Sequence, residues 1–185
     1  MSDVSGKLVV ISGPSGAGKT SVCRELKNDP RVTFSVSATT RHKRAGEVDA
    51  RDYHFLSEAD FLRSRDAGEF LESARYNEHY YGTLRAPMEE ALAAGQLFVV
   101  EIEVQGTRQL RQNRVEGMYI FVVPPSLEEL QRRLENRGTE TSAQIQDRLR
   151  IAAEELRARE LYDHEVVNED LQETIGKVKD IIGLR

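Results

Sequence analysis

Cysteine occurs once, at Cys23, so no internal disulfide can form, and a reducing compartment, the cytoplasm, is expected. No stretch approaches the roughly 18 consecutive apolar residues of a membrane span, so none is expected. The segment Met1–Lys7 has no basic stretch leading into a long apolar one, and no secretory leader is expected. Excess positive charge is also missing. A formal net charge of −5 disfavours wrapping of a polyanionic nucleic acid, whereas a small anionic ligand needs only a few cations gathered in one place. The histidines, His42, His54, His79 and His164, are scattered and form no metal-spaced pair. Repeats, low-complexity tracts and Pro/Ser-rich linkers are lacking as well. What remains is a 185-residue chain, 39% hydrophobic and 31% charged, suited to one globular domain with a substantial core.

Lys7–Ser12 (KLVVIS) is a β-branched run ending at a glycine cluster, and Lys19–Lys27 then carries Val22, Cys23 and Leu26 at helical spacing. Leu97–Val100 and Met118–Val123 are further buried-strand patterns, followed by helical patterns near Val104–Gln112 and Ser126–Asn136. Ser126 and Glu129 have the spacing of a capping box. Val166–Val167 is a last short strand before a helix over Asp170–Ile182. This alternation predicts an α/β fold, a mostly parallel sheet flanked by helices. Two stretches interrupt it. Residues from Thr33 to about Gly95 are polar and rich in Arg, Tyr and Glu, with strand-like pieces at Thr33–Ser37 and Tyr53–Leu56 and helical patterns near Glu58–Ala67 and Pro87–Ala94. They read as an insert beside the sheet. Arg137–Ser142 is a turn flanked by arginines, after which Ile145, Leu149, Ala152 and Leu156 share one helical face.

Gly13-Pro14-Ser15-Gly16-Ala17-Gly18-Lys19-Thr20 fits G-x-x-x-x-G-K-[ST] between a strand and a helix, the context that a P-loop requires. Polyphosphate is held by several backbone N–H groups aimed inward, which needs residues free of Cβ interference and a helix N-terminus behind them. Lys19 adds a cation for the β- and γ-phosphates of ATP, and the Thr20 hydroxyl can ligate Mg²⁺. An acid at the end of a nearby apolar strand completes such a site by holding Mg²⁺ through water; Glu101, closing Leu97–Val100, has that position, and Glu103 lies on the same side of an extended segment. Within the insert, Ser37–Glu47 packs Arg41, Lys43 and Arg44 among hydroxyls, and Asp52-Tyr53 and Tyr80-Tyr81-Gly82-Thr83 follow. Arginine forks and tyrosine or serine hydroxyls suit a phosphate.

At these residues the sequence resembles the guanylate kinase family. The matching motifs are GPSGAGKTS (Gly13–Ser21), SVSATTRHKRAGEVDARDYHF (Ser35–Phe55), GEFLE (Gly68–Glu72), YYGT (Tyr80–Thr83), EIEVQG (Glu101–Gly106), RLENRGTET (Arg133–Thr141), RL (Arg148–Leu149) and VVNEDL (Val166–Leu171). Ser-x-Thr-Thr-Arg-x-x-Arg-x-Gly-Glu is particular to that family, whereas a P-loop alone is not. The resemblance implies one domain over residues 6–184: a P-loop kinase core (6–33, 96–136 and 149–184), a nucleoside-monophosphate-binding insert (about 34–95) and a short mobile lid (about 137–148). It implies transfer of the γ-phosphoryl group of ATP, with Mg²⁺, to GMP and to dGMP, serving purine nucleotide supply and GMP recycling. ATP would be held by Gly13 to Ser21 with Arg133 and Arg137. The GMP phosphate would be held by Arg41, Arg44, Tyr53 and Tyr81, and the guanine by Ser37, Glu72, Thr83 and Glu103. Lys19, Arg41, Arg137 and Arg148 would carry the catalytic charge.

The guanine assignment has its own chemical sense. Guanine's N1–H and N2 amino group are donors that a carboxylate accepts, and adenine lacks that pair. Three positions depart from the family's usual residues: Glu103 where Asp is common, Ala50 for glycine and Ser73 for tryptophan. Two alternatives carry the same motifs: a non-catalytic guanylate-kinase-like module that binds phosphopeptides, and a kinase for another small phosphorylated acceptor. The intact Gly18-Lys19-Thr20 and the lid arginines oppose the first, and Glu72 with Ser37 opposes the second.

Overall fold

The structure, a computed structural model, describes residues 6–76, 78–136 with the backbone of Arg137, and 141–184. In chain order the elements begin β1 (Lys7–Ser12), α1 (Lys19–Leu26), β2 (Val32–Phe34), β3 (Ala38–Thr39), β4 (His54–Phe55), α2 (Glu58–Asp66), β5 (Phe70–Tyr76), β6 (His79–Leu84) and α3 (Arg85–Ala93). They continue β7 (Leu97–Glu101), α4 (Val104–Gln112), β8 (Met118–Val123), α5 (Leu127–Arg137), α6 (Ser142–Glu155), a 3₁₀ turn (Leu156–Leu161), β9 (His164–Val167) and α7 (Leu171–Ile182).

Five strands form an all-parallel sheet in the order β2-β7-β1-β8-β9. β1, β7 and β8 are apolar on both faces because helices cover both. Alternate residues of β1 divide between the layers: Val9 and Ile11 pack with Val22, Cys23 and Leu26 of α1 and Ile175, Val178 and Ile182 of α7. Leu8 and Val10 pack on the other side with Met88 and Ala91 of α3, Leu110 of α4 and Phe98 and Val100 of β7. The central β1 pairs with β7 through Ile11 opposite Glu101, so the loop after β1 and the acid ending β7 emerge side by side at the carboxyl edge, where parallel sheets bind ligands.

A second sheet, β4-β3-β6-β5, stands beside the first. One of its faces is closed by α2, whose Phe61 stacks on Phe70 and Tyr80 with ring centroids 4.5 and 5.4 Å away. The β5–β6 register shifts between Phe70 and Glu72. Through that bulge Phe70 joins the small core under α2, Leu71 joins the main core, and Glu72 pairs with Thr83 on the open face.

The structure amends four sequence expectations. Thr33–Ser37 does not strand inside the insert; Val32–Phe34 pairs with β7 as the edge of the main sheet. The helix expected at Pro87–Ala94 packs Met88 and Ala91 on the main sheet, so the second sheet and α2 span Ala38–Leu84, short of residue 95. Leu156 lies beyond α6 and packs with Val104, Phe121 and Val123, whereas Ile145, Leu149 and Ala152 do face Leu130 and Leu134. The Ser126 hydroxyl accepts from Glu129 N at 3.1 Å, but the Glu129 carboxylate turns to Arg132 and Arg133 and does not close the capping box. A complete box caps α6, where Thr141 and Gln144 bond reciprocally. Of the expected lid, residues 138–140 and the Arg137 side chain lie outside the described residues.

Ala50 adopts φ 58° and is held there by its N–H donating to Tyr53 O at 2.9 Å. A left-handed alanine is strained. Ala50→Gly should therefore raise stability by about 1 kcal/mol, less the greater entropy glycine gives the unfolded chain, read as a higher denaturation midpoint.

Candidate active site

The Gly13–Thr20 loop runs from the end of β1 into α1. Gly13 has φ 147° and a Cβ there would strike Val122 O; Gly18 has φ 100° and a Cβ there would overlap the Asn168 carboxamide. Gly18 is the N-cap of α1 and supplies no side-chain cap, so first-turn N–H groups stay open to an anion. Lys19 folds back over the loop, donating to Gly13 O at 2.5 Å and Pro14 O at 2.9 Å. Burial pushes its ammonium below the usual lysine range, while Glu101, Glu155 and Glu103 push it back up. The Thr20 hydroxyl donates to Glu101 Oε1 at 2.7 Å, two hard oxygen donors beside the phosphate loop, a set that fits Mg²⁺. Cys23 is buried behind them; burial and the nearby Glu101 charge raise its thiol pKa far above the usual range, as for an inert packing residue. From α6, Arg148 Nη1 lies 3.4 Å from Ser15 Oγ, and from α5 Arg133 donates to Asn168 O at 2.8 Å and to Glu129 at 3.1 Å.

Across the cleft, Arg41 is gripped by Glu47 through bonds of 2.8 and 3.1 Å and lies 5.4 Å from the Tyr53 ring centroid. Glu47 also accepts from Arg44 N at 2.7 Å, tying the two arginines' loop together. The Tyr53 and Tyr81 rings meet edge-on at 6.1 Å. Glu72 is 9% exposed, and Thr83 Oγ1 donates to its Oε1 at 2.7 Å. Desolvation raises the Glu72 pKa, opposed by the Thr83 bonds and reinforced by the charge of Glu103. Ser37 lies at the start of the insert, its carbonyl accepting from His54 N at 2.9 Å. Glu103, the N-cap residue of α4, bears electrostatically on both Lys19 and Glu72.

A sequence profile described as guanylate kinase matches residues 5–184. The chain belongs to the guanylate kinase family. The guanylate kinase of Rubrobacter xylanophilus is 47% identical over 178 residues, covering 96% of this chain and 93% of that one. Those of Clostridioides difficile and Synechocystis are 46% and 43% identical, covering 87% and 95% of the respective relatives. A crystal structure of guanylate kinase from Anaplasma phagocytophilum superposes with TM-score 0.76 at 32% identity over 97% of this chain and 86% of that one.

Among the described residues of this guanylate kinase family member, further side chains support the site beyond those the sequence singles out. Glu47, Gly106 and Asn168 stand inside the family motifs, yet only the fold shows what they touch. A Cβ on Gly106 would lie 2.9 Å from Glu72 Oε2. Gly106→Ala should push the buried carboxylate aside and raise the KM for GMP by about tenfold with the KM for ATP unchanged, measurable by steady-state kinetics. Glu155, at the end of α6, carries no sequence signal, being one glutamate among many on a helix. Burial and Glu103 raise its pKa, and Lys19 lowers it, to about 7 from the ordinary 4.5. A carboxyl raised on folding stabilises the protein below its unfolded pKa and loses that contribution as pH rises through the folded one. Glu155→Gln should accordingly raise the melting temperature of the nucleotide-free protein at pH 8, less so at pH 5, and leave it nearly unchanged at pH 4, below the unfolded pKa.

Proposed function

We propose that this chain transfers the γ-phosphoryl group of ATP to GMP, giving ADP and GDP. What supports this reading is a P-loop with Lys19 over its carbonyls together with a buried Glu72–Thr83 pair, Glu103 acting electrostatically on both Lys19 and Glu72. ATP phosphates lie along Gly13 to Ser21 and take the loop and first-turn N–H groups left open there, with Lys19 swinging from the loop carbonyls onto the β- and γ-phosphates and Arg133, Arg137 and Arg148 closing from the lid. Arg41, Arg44, Tyr53 and Tyr81 hold the GMP phosphate, the Glu47 carboxylate keeping Arg41 in place before the ligand arrives. Glu72 accepts from guanine N1–H and N2, with Ser37, Thr83 and Glu103 around the base. Thr20 would ligate Mg²⁺ and Glu101 would hold it through water; when bound, that ion neutralises charge on the transferring phosphoryl.

No general base is assigned, because a nucleotide phosphate with a second pKa near ~6 is already largely anionic at pH 7. Catalysis is then alignment and charge neutralisation, supplied from three directions by Lys19, Arg41 and the lid arginines. Arg41 and Arg148 approach from opposite sides of the cleft, and exclusion of water between them keeps GMP the acceptor. No helix among the described residues is long and apolar enough to cross a membrane. A cytoplasmic enzyme of purine nucleotide supply and GMP recycling, also accepting dGMP, is the reading consistent with this chemistry.

Phosphorus NMR of ATP, Mg²⁺ and GMP with the protein tests it: growth of the GDP resonances with matching loss of the ATP γ-phosphorus is expected. Loss of that resonance as free phosphate, or no reaction, would defeat the proposal, and the latter would favour the phosphopeptide-binding alternative.

A further inference from the structure

We infer that Gln109 of α4 is a positioning residue for the acceptor site: its carboxamide fixes the strand that carries Glu72, and through it the aim of the carboxylate at guanine. The inference rests on reading Glu72 as the guanine acceptor. β5 is the outer strand of the second sheet, paired with β6 on one side and, among the described residues, with no strand on the other. On that free side Gln109 Nε2 donates to Ser73 O at 2.9 Å, and Gln109 Oε1 accepts from Ser73 N–H at 3.1 Å. The side-chain amide thus engages both main-chain groups of one residue, as a neighbouring strand would.

Successive residues of β5 lean on one face of α4. Leu71 packs with Leu110 in the main core, and Glu72 Oε2 lies where a Cβ on Gly106 would be only 2.9 Å away. Ser73 is held by Gln109. Positions 106, 109 and 110 share a helix face, being three and four residues apart. The strand needs that support at this point. Its register against β6 shifts between Phe70 and Glu72, so the ladder is interrupted immediately before the carboxylate. Thr83 fixes one carboxylate oxygen through its 2.7 Å bond but does not hold the main chain on the open edge. Guanine's N1–H and N2 amino group call on both oxygens at once, a two-point contact whose geometry tolerates little displacement. The orientation of the carboxamide is set by its partners: turned over, it would set N–H against N–H and oxygen against oxygen. Gln109 therefore acts through the main chain of β5, one residue from the carboxylate it aims.

The test measures kcat/KM for GMP, the KM for ATP and the melting temperature in Gln109→Met and Gln109→Glu, each made alone and together with Glu72→Gln. Met keeps the length and removes both polar groups. Glu keeps the shape and the bond from Ser73 N–H but sets an acceptor against Ser73 O. Alone, both should lower kcat/KM for GMP by about tenfold, with the KM for ATP within about twofold of its starting value. Combined with Glu72→Gln, the same changes should cost no more than about twofold further, because the group being aimed is already gone. A folded Gln109→Met with normal kcat/KM for GMP, an equal rise in the KM for ATP, or the full loss persisting on top of Glu72→Gln would overturn the inference. So would failure of both variants to fold, which would make Gln109 a structural residue. Glu72→Gln on its own separates the two readings. If it leaves kcat/KM for GMP near normal, the acceptor assignment itself fails; if it loses GMP turnover while both Gln109 variants behave normally, only the role of Gln109 fails.

Discussion

Lys19→Ala should lose at least ~10³-fold in kcat while the protein keeps its fold, in line with removal of a pre-organised charge from a site of developing negative charge. The size follows from what surrounds the ammonium. It is desolvated, parked on two carbonyls of its own loop and faced by Glu101, Glu155 and Glu103, so it is a cation stored beside the phosphate site and ready to move onto the nucleotide. The fold should tolerate its removal, because those carbonyls border the open loop and α1 is anchored by Val22, Cys23 and Leu26. Turnover by coupled ADP release and a circular dichroism melt check both halves. A folded Lys19→Ala with near-normal turnover would remove the P-loop from the mechanism, and a phosphopeptide-binding module would show no turnover to lose.

Glu72→Gln should lower kcat/KM for GMP by at least ~10²-fold with little change in the KM for ATP, since it turns an acceptor of guanine's donor pair into a donor facing them. Stability should move the other way or not at all. The carboxylate is desolvated, with its pKa raised on folding, so at pH 7 its ionisation works against the native state. The amide is its isostere, free of that cost, and its oxygen can still accept from Thr83. Loss of GMP turnover without loss of stability marks a recognition residue. Equal losses for GMP and ATP, with a fallen melting temperature, would make Glu72 a structural group instead.

The P-loop was legible because its chemistry is local: glycine where a Cβ cannot fit, lysine and threonine at fixed offsets, and an apolar strand before them. Glu101 was legible because an acid ending a buried parallel strand arrives at the ligand edge whatever the remaining topology. The limits of the insert were less so. Val32–Phe34 and Arg85–Ala93 sit beside the polar segment in sequence, but their apolar residues are placed by partners far along the chain, β7 for the first and the main sheet for the second. Local pattern carries no record of such pairing. The same holds for Gly106 and Gln109, whose contacts exist only where α4 meets β5. Ala50 is the reverse case. Its departure from glycine was visible, and the positive φ shows what that departure costs.

Everything in this account meets at the claim that one cleft joins ATP to guanine-bearing monophosphates. The direct measurement is ADP release from ATP and Mg²⁺ with GMP, dGMP, AMP, CMP and UMP offered singly at equal concentration. GMP should turn over, dGMP should follow, and AMP should lag GMP by at least ~10²-fold in kcat/KM, because against adenine the buried Glu72 would keep only the Thr83 hydroxyl and lose guanine's donor pair. Comparable rates for AMP and GMP, or no acceptor-dependent ADP release at all, would contradict the account.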